Sequence, residues 1–150
     1  MKTKLCSPKK LTCVNDPIGG YFDQVKITNS QQSNTFARQF YHEDLEIYES
    51  MFLILLNRQN KTIAHAKISQ GGVSGTVADV KIICKYAVDC LASNVILVHN
   101  HPSGNLSASN ADDEITRKLK IALGYCDVAL LDHIILTSEG YYSYADDGKI

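Results

Sequence analysis

The sequence predicts a single α/β domain, a mixed sheet flanked by a few helices. Two apolar runs of strand length, Met51–Leu56 and Asn94–Val98, carry few polar residues, as strands buried on both faces do. Two other segments, following Asp79 and spanning Asn110 to Leu123, repeat apolar residues at helical spacing. Strand-like and helix-like segments alternate along the chain, which is the order expected of an α/β sandwich.

The elements follow in order. Residues 1 to about 22 are polar and punctuated by Pro8, Pro17 and the Gly19-Gly20 pair, so they read as a loose arm or an edge-pairing extension. Val25–Ile27 reads as a short strand. From Thr28 to His42 a helix is expected, with Ser30 and Ser33 as candidate caps and Phe36, Ala37, Phe40 and Tyr41 on one face. Met51–Leu56, the turn-like Asn57–Lys61 and the roughly alternating Thr62–Ser69 together predict an antiparallel hairpin. Gly71–Thr76 reads as a loop.

Asp79 caps a helix whose stripe is Ile82, Ile83, Tyr86, Ala87, Cys90 and Leu91. The Asn94–Val98 strand follows. The next helix carries Ile115, Leu119, Ala122 and Leu123, with Gly124 as its stop. Val128–Leu131 and His133–Leu136 supply further strand, and Ser138-Glu139-Gly140 turns into Tyr141–Tyr144.

The chain has 150 residues, room for one domain with a proper core; 45% are hydrophobic and 21% charged, which is ordinary for a globular protein. A net charge of −1 supplies no global positive field for nucleic acid. No apolar run reaches the length of a membrane span, and no signal peptide is indicated. Cys6, Cys13, Cys84, Cys90 and Cys126 form an odd set without a C-x-x-C pair, which is expected of reduced thiols in a cytoplasmic protein.

The chemistry concentrates where Asn94–Val98 ends. His99 and His101 are two apart, so a strand continuing through them turns both side chains to one face. Asp112 arrives in the first turn of the next helix. Two imidazoles and a carboxylate are a common ligand set for catalytic zinc, which keeps a fourth position for water. Ser109-x-x-Asp112 is also a capping box, and spacing alone leaves both readings open.

The whole pattern, His99-x-His101, seven residues, Ser109, two residues, Asp112, matches the signature of the JAMM (MPN-type) metalloproteases. His99-Asn100-His101-Pro102-Ser103-Gly104 resembles the RadC-like branch of that superfamily. So do Thr116, Leu119, Leu131-Asp132-His133, Tyr141-Tyr142-Ser143-Tyr144, and upstream Glu49, Asn57-Arg58-Gln59-Asn60 and Ser74-Gly75-Thr76-Val77. The resemblance covers residues 26–150 and leaves 1–25 as an N-terminal arm.

The resemblance implies a JAMM/MPN-type mixed sheet flanked by helices, a cytidine-deaminase-like sandwich. It implies one Zn²⁺ per chain on His99, His101 and Asp112, with Ser109 in support through hydrogen bonding. Glu49 matches the glutamate near the metal-bound water and becomes the general base, with Glu46 and Glu43 as competitors for that role. The implied activity is hydrolysis of an amide, peptide or isopeptide, in a protein substrate. Ala108 stands where the family usually has proline. Full-length RadC proteins also carry a helix-hairpin-helix region linked to DNA binding, where this sequence has a short arm, so a DNA-repair or DNA-processing role is the alternative rather than the expectation.

A non-catalytic, metal-containing interaction module is the other alternative; an intact ligand set argues for retained metal. The contiguous letters H-N-H match ββα-metal nucleases in spelling only, since those enzymes scatter them over a longer unit. For the remaining polar residues the plain readings stand. His133 is expected to be a buried histidine at a strand start, with support of a metal ligand as the second reading. Ser103 and Gly104 shape a turn, and Asp113 and Glu114 favour a helix N-terminus. His42 and His65 are expected at the surface, and Arg117, Lys118 and Lys120 on a solvated helix face.

Overall fold

A computed structural model describes Thr12–Cys13 and residues 24–41, 43–71 and 78–150. The strands are β1 (Thr12–Cys13), β2 (Ser50–Leu56), β3 (Thr62–Gln70), β4 (Asn94–Asn100), β5 (Ala129–Leu136) and β6 (Tyr141–Ser143). The helices are α1 (Ser30–Ala37), α2 (Val80–Asp89) and α3 (Asn110–Gly124). The sheet order is β1-β3-β2-β4-β5-β6. β4 and β5 run parallel because α3 carries the chain back between them, while the other neighbours are antiparallel. The expected arm and the Gly72–Thr76 part of the expected loop lie largely outside the described residues, as does His42.

Strand alternation divides the core into two layers. Met51, Leu53 and Leu55 of β2 and Val95 and Leu97 of β4 pack with Ile83, Tyr86 and Ala87 of α2 and Leu119 and Leu123 of α3. Phe52, Ile54 and Leu56, with Ile96 and Val98, face the other way onto Phe36 and Ala37 of α1. All seven residues of β2 are buried, which is why it reads as an unbroken apolar run.

Several elements differ from the sequence expectation for local reasons. α1 is capped by Asn29, whose extended backbone lets its side chain accept from Gln32 N at 2.9 Å, so Ser30 already lies inside the helix. The helix ends at Ala37 and tightens into a 3₁₀ turn over Arg38–Phe40. His65 is buried and stacks on Phe40, with centroids 4.1 Å apart, rather than lying at the surface. α3 runs through Gly124; the reversal comes at Asp127, φ 55°, where Asp127 N and Val128 N close on Gly124 O and Leu123 O.

β5 is one strand rather than two. Its register against β4 slips between Val95/Leu130 and Ile96/Asp132, so Leu131 is an extra residue, a β-bulge. The bulge changes the facing of everything after it. Leu130 packs on the α2/α3 side, and His133, three residues on, pairs with Leu97 and faces that side too. Asp132 stays buried and is satisfied by Ser143 Oγ at 2.7 Å, Ala145 N at 3.0 Å and its neighbour His133 N at 2.7 Å.

α2 ends on Leu91 in the left-handed region, φ 50°, with Leu91 N bonded to Val88 O and Ala92 N to Ala87 O. Leu91 is 86% exposed and Ile82 40% exposed, so neither belongs to the core stripe the spacing suggests. A left-handed non-glycine residue costs on the order of 1 kcal/mol. Leu91→Gly is therefore expected to raise stability by about 0.5–1 kcal/mol, seen as a higher denaturant midpoint at unchanged m-value. A lower midpoint would mean that the leucine side chain holds the turn.

Candidate metal centre

The site lies at the carboxyl end of β4, beside the parallel crossover to β5, where open α/β sheets leave a crevice. His99 is the last α3-facing residue of the strand and is fully buried. One step beyond the strand, His101 N still bonds to Leu136 O at 2.9 Å, so extended geometry persists far enough to bring the second imidazole alongside the first. The chain then turns through Pro102 and Ser103 to Gly104, φ 78°, with Gly104 N bonded to His101 O at 3.0 Å. That turn gives Ser103 and Gly104 the shaping role expected of them.

Ser109 caps α3, and the capping box is complete. Ser109 N and Oγ each donate to Asp112 Oδ2 at 2.7 Å, while Asp112 N donates back to Ser109 Oγ at 3.2 Å. The box and the metal reading are thus compatible. Capping employs Oδ2 and leaves Oδ1 facing His99 Nε2 at 3.1 Å.

His99 Nε2 and His101 Nε2 are 2.9 Å apart, and His101 Nε2 is 3.6 Å from Asp112 Oδ2. One donor atom from each of His99, His101 and Asp112 lies within 4.8 Å of the others, close enough for the three to hold a metal ion. The donor chemistry suits it as well. His101 Nδ1 lies 2.7 Å from Asn105 O, a carbonyl that can only accept, so this nitrogen carries the proton and Nε2 points its lone pair inward. Lone pairs and a carboxylate converging in a buried site fit a cation among them. No fourth His, Cys, Asp or Glu among the described residues joins the three.

The electrostatics carry the same signature. The Asp112 hydrogen bond raises the His101 pKa above 6.5, with burial opposing and the Asn105 carbonyl and the Glu49 charge assisting. Burial alone would raise Asp112, but the neighbouring imidazoles of His101 and His99 and the Ser109 hydroxyl hold the carboxyl well below the usual range. His133 is pushed far below its ordinary value, chiefly by burial.

Glu49 precedes β2. Met51 pairs with His99 in an antiparallel register, so Glu49 lies level with His101, half-buried and near enough for its charge to act on that imidazole. Glu46 is exposed in the preceding 3₁₀ turn. His133 stands behind the ligands, its Nε2 2.7 Å from His99 Nδ1, so the supporting role held as its second reading describes its contact better than a plain strand-start histidine does. Tyr144 stacks on its ring at 4.9 Å and donates to Asp113 Oδ1 at 2.8 Å, which gives Asp113 a partner besides the helix terminus. Lys118 pairs with Glu114 on the outer face of α3, as expected.

Asn100 carries more than its place between the histidines suggests. It faces the opposite side of the sheet, fully buried, and its amide donates to Leu45 O at 2.7 Å and Tyr48 O at 2.8 Å while accepting from Ser50 N at 2.7 Å. The loop that presents Glu49 is thereby tied to the strand that presents the histidines. Strand alternation, which turns the middle residue of His-x-His away from the ligands, is the signal that could have revealed it.

A family model for the RadC-like JAB domain matches residues 27–149. The chain belongs to the RadC-like JAB domain family. It is similar to a UPF0758 protein of Flavobacterium johnsoniae, 42% identical over 82% of this chain and 53% of that protein. Similar proteins from Porphyromonas gingivalis and Streptococcus sanguinis are 44% and 36% identical, over 68% and 87% of this chain and 45% and 59% of their own lengths. The chain thus spans about half the length of the curated relatives it matches. As a RadC-like JAB domain it has the mixed sheet and flanking helices expected, and its possible metal site is the His99, His101 and Asp112 group.

Two outcomes are expected of this RadC-like site. A metal ion held here would displace the proton that the Asp112 pairing favours on His101. Zn²⁺ affinity, read by chelator competition, should therefore fall as pH drops below the raised His101 pKa, by about tenfold per pH unit for one displaced proton. The metal-free protein has the opposite trend: the His101 contribution to stability is complete below pH 6.5 and is lost as pH rises through the raised value. The second outcome concerns Asn100→Ala, which strands the buried Ser50 N at roughly 1–3 kcal/mol and takes a donor from the part-buried Leu45 O and Tyr48 O. Denaturation should show a loss of about 2–4 kcal/mol, and a loss well under 1 kcal/mol would discount Asn100 as the anchor of the Glu49 loop.

Proposed function

We propose that this chain is a zinc-dependent hydrolase of amide bonds, peptide or isopeptide, in a protein substrate, with one Zn²⁺ per chain. The observation that carries the reading is the convergence of three protein donors, His99, His101 and Asp112, with no fourth among the described residues. A structural zinc is ordinarily closed by four protein ligands, whereas a catalytic one keeps a position for water or substrate. This counts against the non-catalytic module. Zinc held there would lower the pKa of a water towards about 7 and polarise the substrate carbonyl.

The remaining work falls to the chain's own residues. Glu49, level with His101 at the mouth of the site, takes the proton from the attacking water and returns it to the leaving amine. Ser109 can turn its hydroxyl from Asp112 to a developing oxyanion, because Ser109 N still holds Asp112 Oδ2 at 2.7 Å. His101 stays oriented by the Asn105 carbonyl throughout. No helix among the described residues is long and apolar enough to cross a membrane. A cytoplasmic setting follows from the cysteine usage, and nothing in the site favours the DNA-processing alternative.

The test is metal analysis followed by a screen of peptide and isopeptide substrates, comparing wild type with Glu49→Gln. Turnover should fall roughly 10²–10⁴-fold in the variant while zinc content stays at one per chain. Turnover that survives the substitution would remove Glu49 from the mechanism. Zinc bound without hydrolysis of any substrate would favour the interaction-module reading.

A further inference from the structure

We propose that Thr116 is a positioning residue that, through His133, decides which ring nitrogen of His99 carries the proton and so leaves His99 Nε2 free as a ligand. The inference rests on the zinc-site reading above and deepens it.

The number of protons available to these groups fixes their direction. Thr116 Oγ1 lies 2.6 Å from Asp112 O, a peptide carbonyl that can only accept, so the hydroxyl donates there. A hydroxyl has one proton. Its second short contact, 2.6 Å to His133 Nδ1, must then be made with a lone pair, and His133 Nδ1 must carry the hydrogen. The His133 ring is fully buried, and both its nitrogens are taken up by Thr116 and His99 rather than by a carboxylate. A cation is costly in such a place, so the ring is neutral and its Nε2 accepts. His99 Nδ1, 2.7 Å away, is therefore the donor. In a neutral His99 that leaves Nε2 unprotonated, turned towards Asp112 Oδ1 and His101 Nε2.

The chain of contacts closes on itself. Asp112 brings its carboxylate to the ligand group, and its own backbone carbonyl, through Thr116 and His133, sets the polarity of His99. His101 needs no such relay, because Asn105 O orients it directly. A Thr116 hydroxyl that served only the helix would need no more than its bond to Asp112 O, four residues back.

Thr116→Val keeps the shape and removes the hydroxyl. His133 Nδ1–H would then face a methyl group, so its proton should move to Nε2 and donate to His99 Nδ1. The His99 proton would move to Nε2, onto the ligand position. Long-range ¹H–¹⁵N spectra of metal-free, ¹⁵N-labelled protein near pH 8 read this directly. Wild type and Thr116→Ser should show His99 protonated at Nδ1, and Thr116→Val should show it at Nε2. Zn²⁺ affinity by chelator competition should fall about 10–100-fold in the valine variant and return in the serine variant.

His99 protonated at Nε2 in the wild type would overturn the proposal, whatever the variants do. So would a folded valine variant with the wild-type tautomer or wild-type zinc affinity. Should the valine variant not fold, the wild-type spectrum still decides. A wild type with the expected tautomer but no affinity for zinc would instead overturn the zinc reading and leave the tautomer assignment standing.

Discussion

A strand that ends in His-Asn-His must send its histidines to one face of the sheet and its asparagine to the other, and the architecture of this site depends on that alternation. On the α3 side, His99 and His101 meet the first turn of the helix that follows them. On the α1 side, the Asn100 amide satisfies three backbone groups of the segment leading into β2. A slip of one residue would exchange the two faces, burying imidazoles among the apolar residues of the α1 layer and leaving those backbone groups unsatisfied. Pairing of β4 with β2 on one side and β5 on the other prevents the slip.

The same few groups serve both the fold and the candidate metal centre. The Ser109–Asp112 box starts α3 in a standard way, yet by occupying one carboxylate oxygen it aims the other at His99. The loop after β4 does likewise, for Asn105 O both belongs to the turn and holds His101. Capping and cation binding therefore do not compete. The polar atoms around the centre are partnered, several of them twice, which is what allows so many of them to sit in a largely buried place.

Much of this was legible in the residues. The ligand spacing is local, contained in a strand end, a turn and a helical turn, so counting positions was enough to bring His99, His101, Ser109 and Asp112 together. The hairpin of β2 and β3 and the stripes of α2 and α3 were equally legible, because burial imposes a period on the sequence. A residue whose setting depends on distant partners is not legible in this way. His65 has no local feature that distinguishes it from a surface histidine, and Phe40 covers it only after α1 docks. Asp132 resembled a break between strands because its satisfaction by Ser143 and Ala145 comes from beyond the next turn.

The sequence by itself determined the donors, their spacing and the strand-to-helix junction that holds them, since those depend on backbone periodicity and on a cap three residues long. Only the tertiary structure decided what stands behind and beside them. The bulge at Leu131 turns His133 to the ligand face, and Thr116, one helical turn after Asp112, meets it there. The Asn100 amide and the β2–β4 register bring Glu49 level with His101. These relations follow from strand pairing and helix docking between segments far apart in the chain, and such contacts impose no period that a local reading could detect.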